Sequence, residues 1–206
     1  MTINIDQLIE ASIPTIKGFD KIEPRIWTND TTFLELVTEI GSLGRMLTIW
    51  EKYRHGQKSR HKLVDELSDI LFVLIRFCYI NELDFPETVN IVSTESFDPL
   101  TRFFSLIEQS EKIRRLADQD EPGPEPEIRA SISSITETLF GFANFYQVDL
   151  IQGHLEEMIS AQTWQNLFFL KTKKLPLIIK KIIWLRHTKI HEQLLEQLPF
   201  NKNQTA

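Results

Sequence analysis

The chain is poor in cysteine: Cys78 is the only one in 206 residues, so no disulfide can close within it. Its place on an apolar helical stripe marks it as a small core residue rather than a nucleophile. Glycine is scarce too, at seven residues. Neither a Walker A loop nor a Gly-rich dinucleotide fingerprint occurs, which removes two familiar backbone cradles for phosphate. No run approaches the roughly 18 consecutive apolar residues of a membrane span. The opening MTINIDQLIEASIPTIKG lacks the basic stretch and apolar block of an export signal, so a reducing cytoplasm is the expected location. Basic charge is outnumbered, with 23 Lys and Arg against 29 Asp and Glu. The resulting net charge of −6 argues against a general nucleic-acid role.

What the chain does hold is long stretches of helical spacing. A 42% hydrophobic and 25% charged composition suits one globular domain or a close pair of similar units. A first amphipathic helix is expected over 5–17, with Pro14 loosening its end. Thr32-x-x-Glu35 fits a capping box ahead of the apolar series Phe33, Leu36, Val37, Ile40, Leu43 and Leu47, which predicts a second helix. A basic connection, RHGQKSRHK, leads to a third helix whose stripe is Leu63, Leu67, Ile70, Leu71, Leu74, Phe77 and Cys78. Asp84 and Pro86 then mark a helix stop and a new start.

Beyond Phe97 the pattern recurs. A shift of 65 places sets Leu63, Leu67, Ile70, Leu74, Phe77, Cys78 and Asp84 against Ile128, Ile132, Ile135, Leu139, Phe142, Ala143 and Asp149. A shift of 70 sets Phe33, Leu36, Val37 and Leu43 against Phe103, Leu106, Ile107 and Ile113. The expected architecture is an all-α helical bundle of two repeated hairpins. Residues 1–97 carry the first, and 98–206 a degenerate second with a basic C-terminal helix, packed as one body.

The copies differ in their acids. Glu66 and Asp69 border the third helix's stripe, yet Ile70 and Val73 occupy the i+4 positions where a base would stand, and only Lys62 lies a turn away. In the second copy they become Ser131 and Ser134, while Glu39 becomes Gln109. Packing survives without the carboxylates, which points to a chemical role for them in the first copy. Glu35 and Glu39 lie one turn apart on the second helix, with Ser42 a further turn on. Packed against the third helix, that face brings four acids together. Such a cluster in a partly dry groove needs a divalent cation, and hard oxygen ligands select Mg²⁺ or Mn²⁺ over zinc. The first connection carries Arg54, Lys58, Arg60 and Lys62, whereas DQDEPGPEPE supplies Asp118, Asp120, Glu121, Glu125 and Glu127 to the second. A basic loop beside an acidic cation site suits a phosphate substrate.

From about Trp27 to Val89 the chain resembles the MazG-like all-α nucleoside triphosphate pyrophosphohydrolases, whose relatives include dimeric dUTPases and phosphoribosyl-ATP pyrophosphohydrolases. WTNDTTFLELVTEIGSLGRML resembles that family's tryptophan, spacer and E-x-x-E helix, and KLVDELSDILFVLIRFCYINELDF its E-x-x-D helix and the turn after it. Carried over, Glu39 takes the first acid of E-x-x-E, and Glu66 and Asp69 take both acids of E-x-x-D. The second acid of E-x-x-E falls on Ser42, and Glu35, near the same stripe, is the candidate to compensate. The resemblance implies metal-dependent hydrolysis of an NTP or dNTP between its α and β phosphates, with Glu39 or Glu35 taking a proton from the attacking water. Arg54, Lys58 and Arg60 are the candidates for triphosphate contacts and Trp27 for stacking on a base. A monomer or plain homodimer is expected, since the second copy can supply the packing partner. The rival reading is a non-catalytic module that binds nucleotide or a protein partner, with Ser42 marking lost chemistry.

Two other signals weigh less. His187 and His191 have the spacing of a helical metal pair but no third ligand in sequence. The segment KTKKLPLIIKKIIWLRHTK is basic and amphipathic, and reads most simply as a helix packed on the bundle with its lysines in water.

Overall fold

A computed structural model describes residues 2–91, 94–117 and 125–172. The pair His187 and His191, the basic segment from Lys173 onward, and Asp118, Asp120 and Glu121 lie outside the described residues. The chain forms two compact units, Met1–Gln162 and Thr163–Ala206. Of the second, only the final turns of a helix are described, where Trp164 and Phe168 stack at 5.4 Å. Residue 97, the expected boundary, lies between two helical hairpins that both belong to the first unit.

The described residues are an all-α bundle with six helices: α1 (Asp6–Phe19), α2 (Asn29–Trp50), α3 (Arg60–Ile80), α4 (Pro99–Ala117), α5 (Glu125–Phe145) and α6 (Leu150–Thr172). A two-stranded antiparallel ribbon, β1 (Thr2–Asn4) with β2 (Thr88–Asn90), pairs Ile3 with Val89. No helix among the described residues is long and apolar enough to cross a membrane.

Helix α1 runs through Pro14 to Phe19 instead of loosening there. Leu8, Ser12, Thr15 and Ile16 are all buried on its inner face, and that packing outweighs the one backbone bond a proline removes. The start of α2 also differs from expectation. Thr28, not Thr32, is the N-cap: Thr28 N–H donates to Thr31 Oγ1 at 2.7 Å, and Thr31 N–H returns to Thr28 Oγ1. Thr32 is buried one turn in, its hydroxyl bonded to Thr28 O. Glu35 is therefore released from capping and faces its neighbour one turn on.

The core is the stripe the sequence displays: Leu36, Ile40, Leu43 and Leu47 of α2 against Leu63, Leu67, Ile70, Leu71 and Leu74 of α3, continued by Leu106, Ile113, Ile132, Ile135 and Leu139. Each fully buried Leu or Ile contributes about 1.5–3 kcal/mol. Val37, counted with that stripe, is instead 64% exposed, and its repeat partner Ile107 is also exposed. Phe33 near the start of α2 meets Phe77 near the end of α3 at 5.4 Å, so the hairpin is antiparallel.

The repeat is structural as well as compositional. Helices α2 and α4 begin 70 residues apart, and α3 and α5 65 apart. Thr28 and Asp98 each accept from the N–H three residues on, Thr31 and Thr101. Two residues past the ends of α3 and α5 stands a non-glycine residue with left-handed φ, Glu82 at 54° and Gln147 at 56°. The chain then turns back through Leu83 N–H to Cys78 O and Val148 N–H to Ala143 O, each 2.9 Å, the closing bond of a Schellman cap. The hairpins pack α2 on α4 and α3 on α5, like upon like.

Helix α6 returns to the first hairpin. A Cβ on Gly153 would collide with Val64 Cγ1, so glycine is what permits this close approach. The next residue, His154, is fully buried, with Nε2 2.8 Å from Ser12 Oγ of α1 and Nδ1 2.8 Å from Ser68 Oγ of α3. Burial holds its pKa down at about 4, so the imidazole is neutral at pH 7.

Candidate metal centre

On α2, Glu35 and Glu39 are separated by one helical turn; on α3, Glu66 and Asp69 are three apart. The antiparallel pairing turns the two sets toward each other. One carboxylate oxygen each from Glu39, Glu66 and Asp69 can lie within 4.8 Å of the other two, and all three side chains are half-buried. The positive charges that act on the group, Arg45 and Lys62, act on Glu66. Like charges so close and poorly hydrated must share protons or a cation.

The electrostatics follow from that placement. Burial, then Asp69, Glu35 and Glu66, push the Glu39 carboxyl up to about 8. Glu35 is hydrogen-bonded to Glu39, which makes it a neighbour of the three-carboxylate group rather than one of its three members. Burial raises Glu66 as well, opposed mainly by Arg45 and by a hydrogen bond from Ser42. Ser42, at the place of the missing acid, thus supports Glu66 with its hydroxyl. Burial raises Asp69 well above the ordinary range, reinforced by Glu157.

Glu157 lies outside the two-helix pattern of acids. It projects from α6, one turn beyond His154, and shares a hydrogen bond with Asp69. Its sequence signal was the same as that of Glu66: an acid at the margin of a buried stripe, here Leu150, His154 and Met158. Arg45 stands one turn past Ser42 and, with Lys62, forms the positive rim beside Glu66.

Arg54 and Lys58 are exposed in the α2–α3 connection, and Arg60, expected there too, is the exposed first residue of α3. Lys58 Nζ lies 5.2 Å over the Trp50 ring. Trp27 is half-buried, and the guanidinium of Arg76 covers one face of its ring at 3.6 Å. Arg76 is 1% exposed and bonds Glu23 Oε1 at 3.0 Å and Asp20 Oδ1 at 2.8 Å. A stacking base could use only the other face; Trp27 also lines a groove with Ile26 and Tyr79. Cys78 is buried and its thiol pushed up to about 12 by burial, as befits a core residue.

The donor set around Glu39 is all oxygen, which fits Mg²⁺ or Mn²⁺ and not a soft ion. Comparison with protein-family models, curated proteins and solved structures finds no match to this chain.

Proposed function

We propose that the protein is a MazG-like pyrophosphohydrolase, cleaving a nucleoside triphosphate between its α and β phosphates with Mg²⁺ or Mn²⁺. The observation that carries this reading is the convergence of Glu39, Glu66 and Asp69 from facing helices. These three would hold the cation, which when bound supplies positive charge to the phosphate oxygens and acidifies water. The chain's own groups account for the rest. Glu39, or Glu35 hydrogen-bonded to it, would take the proton from the attacking water. Water adds across the α–β bridge: its oxygen joins one phosphorus, the bridging bond breaks, and monophosphate and pyrophosphate leave. Arg45 and Lys62, beside Glu66, are cations for the triphosphate, together with Arg54 and Lys58 of the connection and Arg60 at the start of α3. Trp27 offers its uncovered face to a base.

Ser42 favours a second reading, a module that binds nucleotide or a protein partner without turnover, because its hydroxyl brings no charge to the fourth position. Pyrophosphate release from a panel of NTPs and dNTPs with Mg²⁺ or Mn²⁺ separates the two. Release that requires both metal and Glu66 supports the hydrolase; binding without release by the folded protein supports the module. One functional site per chain in a monomer or homodimer is the assembly that goes with either.

A further inference from the structure

We infer that Glu157 of α6 is the fourth carboxylate of the cation site, supplying from a third helix the charge that Ser42 does not. The inference rests on the metal reading above and adds a ligand outside the two-helix motif. Three observations carry it. Glu157 is hydrogen-bonded to Asp69, one of the three converging acids. Glu157 borders the Glu39, Glu66 and Asp69 group without being one of its three members, and its Oε2 is shut off from solvent with no hydrogen-bond partner among the described residues. A buried carboxylate oxygen without a donor calls for a partner, a water or a cation. Finally, the side chain is held in place: Ser68 bonds both Glu157 and His154, His154 bonds Ser12, and Gly153 brings the helix close to Val64. Such a supporting shell is what keeps a metal ligand oriented.

A purely structural role predicts something different. Gln at 157 keeps a group that can donate to Asp69 while removing the anionic oxygen. The test is Mn²⁺ binding to the whole chain by titration calorimetry, without nucleotide, for wild type, Glu157→Gln, Asp69→Asn and Glu156→Gln. Glu157→Gln and Asp69→Asn are each expected to weaken Mn²⁺ about 10- to 100-fold, and Glu157→Gln to melt no lower than wild type in EDTA. Glu156, exposed and bonded to Gln152 at 2.7 Å, should be replaceable without effect. If wild type binds Mn²⁺ and Glu157→Gln binds it equally well, this inference falls and the three-carboxylate site stands. If wild type binds no Mn²⁺, the metal reading itself falls. Should Glu157→Gln fail to fold, hydrogen exchange on the wild type decides. Mn²⁺ must then slow amide exchange in 150–162, and protection confined to α2 and α3 would overturn the assignment.

Discussion

The first and second hairpins share caps, turns and packing, yet they treat equivalent positions in opposite ways. Trp27 and Phe97 both precede a capped helix and both lie over its partner helix. In the first hairpin the surface under the ring is Arg76, a buried cation tied to Asp20 and Glu23. In the second it is Gly141, where a Cβ would collide with Phe97. At the acid positions, Glu66 gives way to Ser131, whose hydroxyl is buried without a hydrogen-bond partner among the described residues. The hairpin is thus stable with its polar positions charged or small. The charges of the first copy are an addition to a frame that does not need them.

Replacing Glu66 by Ala should abolish metal-dependent pyrophosphate release, a loss of at least about a thousandfold, equivalent to roughly 4 kcal/mol, with helicity by circular dichroism nearly unchanged. Its counterpart Ser131→Ala should leave turnover at the wild-type level; a comparable loss there would end the distinction between the copies. On stability, Arg76→Ala should cost about 3–5 kcal/mol in urea unfolding, because Asp20 and Glu23 lose a buried partner. Gly141→Ala should cost about 1–3 kcal/mol, since Phe97 must shift. Equal costs would show that the two aromatic seats work alike.

The acids of the first copy also set a pH dependence. Glu39 has a folded pKa of about 8 against an ordinary 4.5, so the folded state binds more protons between those values and stability falls as pH rises through them. His154 acts oppositely: its pKa of about 4 against 6.5 gives stability that is complete above pH 6.5 and lost as pH falls toward 4. Thermal melts in EDTA should therefore decline from pH 6.5 to 8.5, and saturating Mg²⁺ should flatten that decline. A flat metal-free profile would contradict the crowded carboxylates. The smallest effect belongs to the helix ends. Glu82→Gly and Gln147→Gly should each raise stability by about 0.5–1 kcal/mol, because glycine adopts the left-handed conformation without a Cβ clash. Matching gains in the two variants would confirm that the turns are equivalent.

Much of this was legible in one dimension. The repeat could be read because apolar spacing survives at the 65- and 70-residue shifts, and that spacing is what the core enforces. Glu39, Glu66 and Asp69 could be grouped because short spacings on two helices joined by one connection leave little freedom. The rest depended on contacts that spacing does not encode. Thr28, Thr31 and Thr32 are all able to cap, and burial of Thr32 decided among them. Pro14 read as an end because the buried face of α1 was not visible. Glu157 and Arg45 approach Glu66 and Asp69 from a distant helix and from an outer turn. Arg76 stood in the open within LVDELSDILFVLIRFC as a lone cation among apolar residues, and its partners came from the loop after α1.

The histidine clasp has a kinetic side. Ser12 and His154 are 142 residues apart, and a contact across so long a loop forms late, after local hairpins have collapsed. The α2–α3 hairpin, with Glu39, Glu66 and Asp69, is therefore expected to form before α6 docks. In refolding, protection of the α2–α3 hairpin should precede docking of α6, and tight cation binding should appear only with the slower of those two steps.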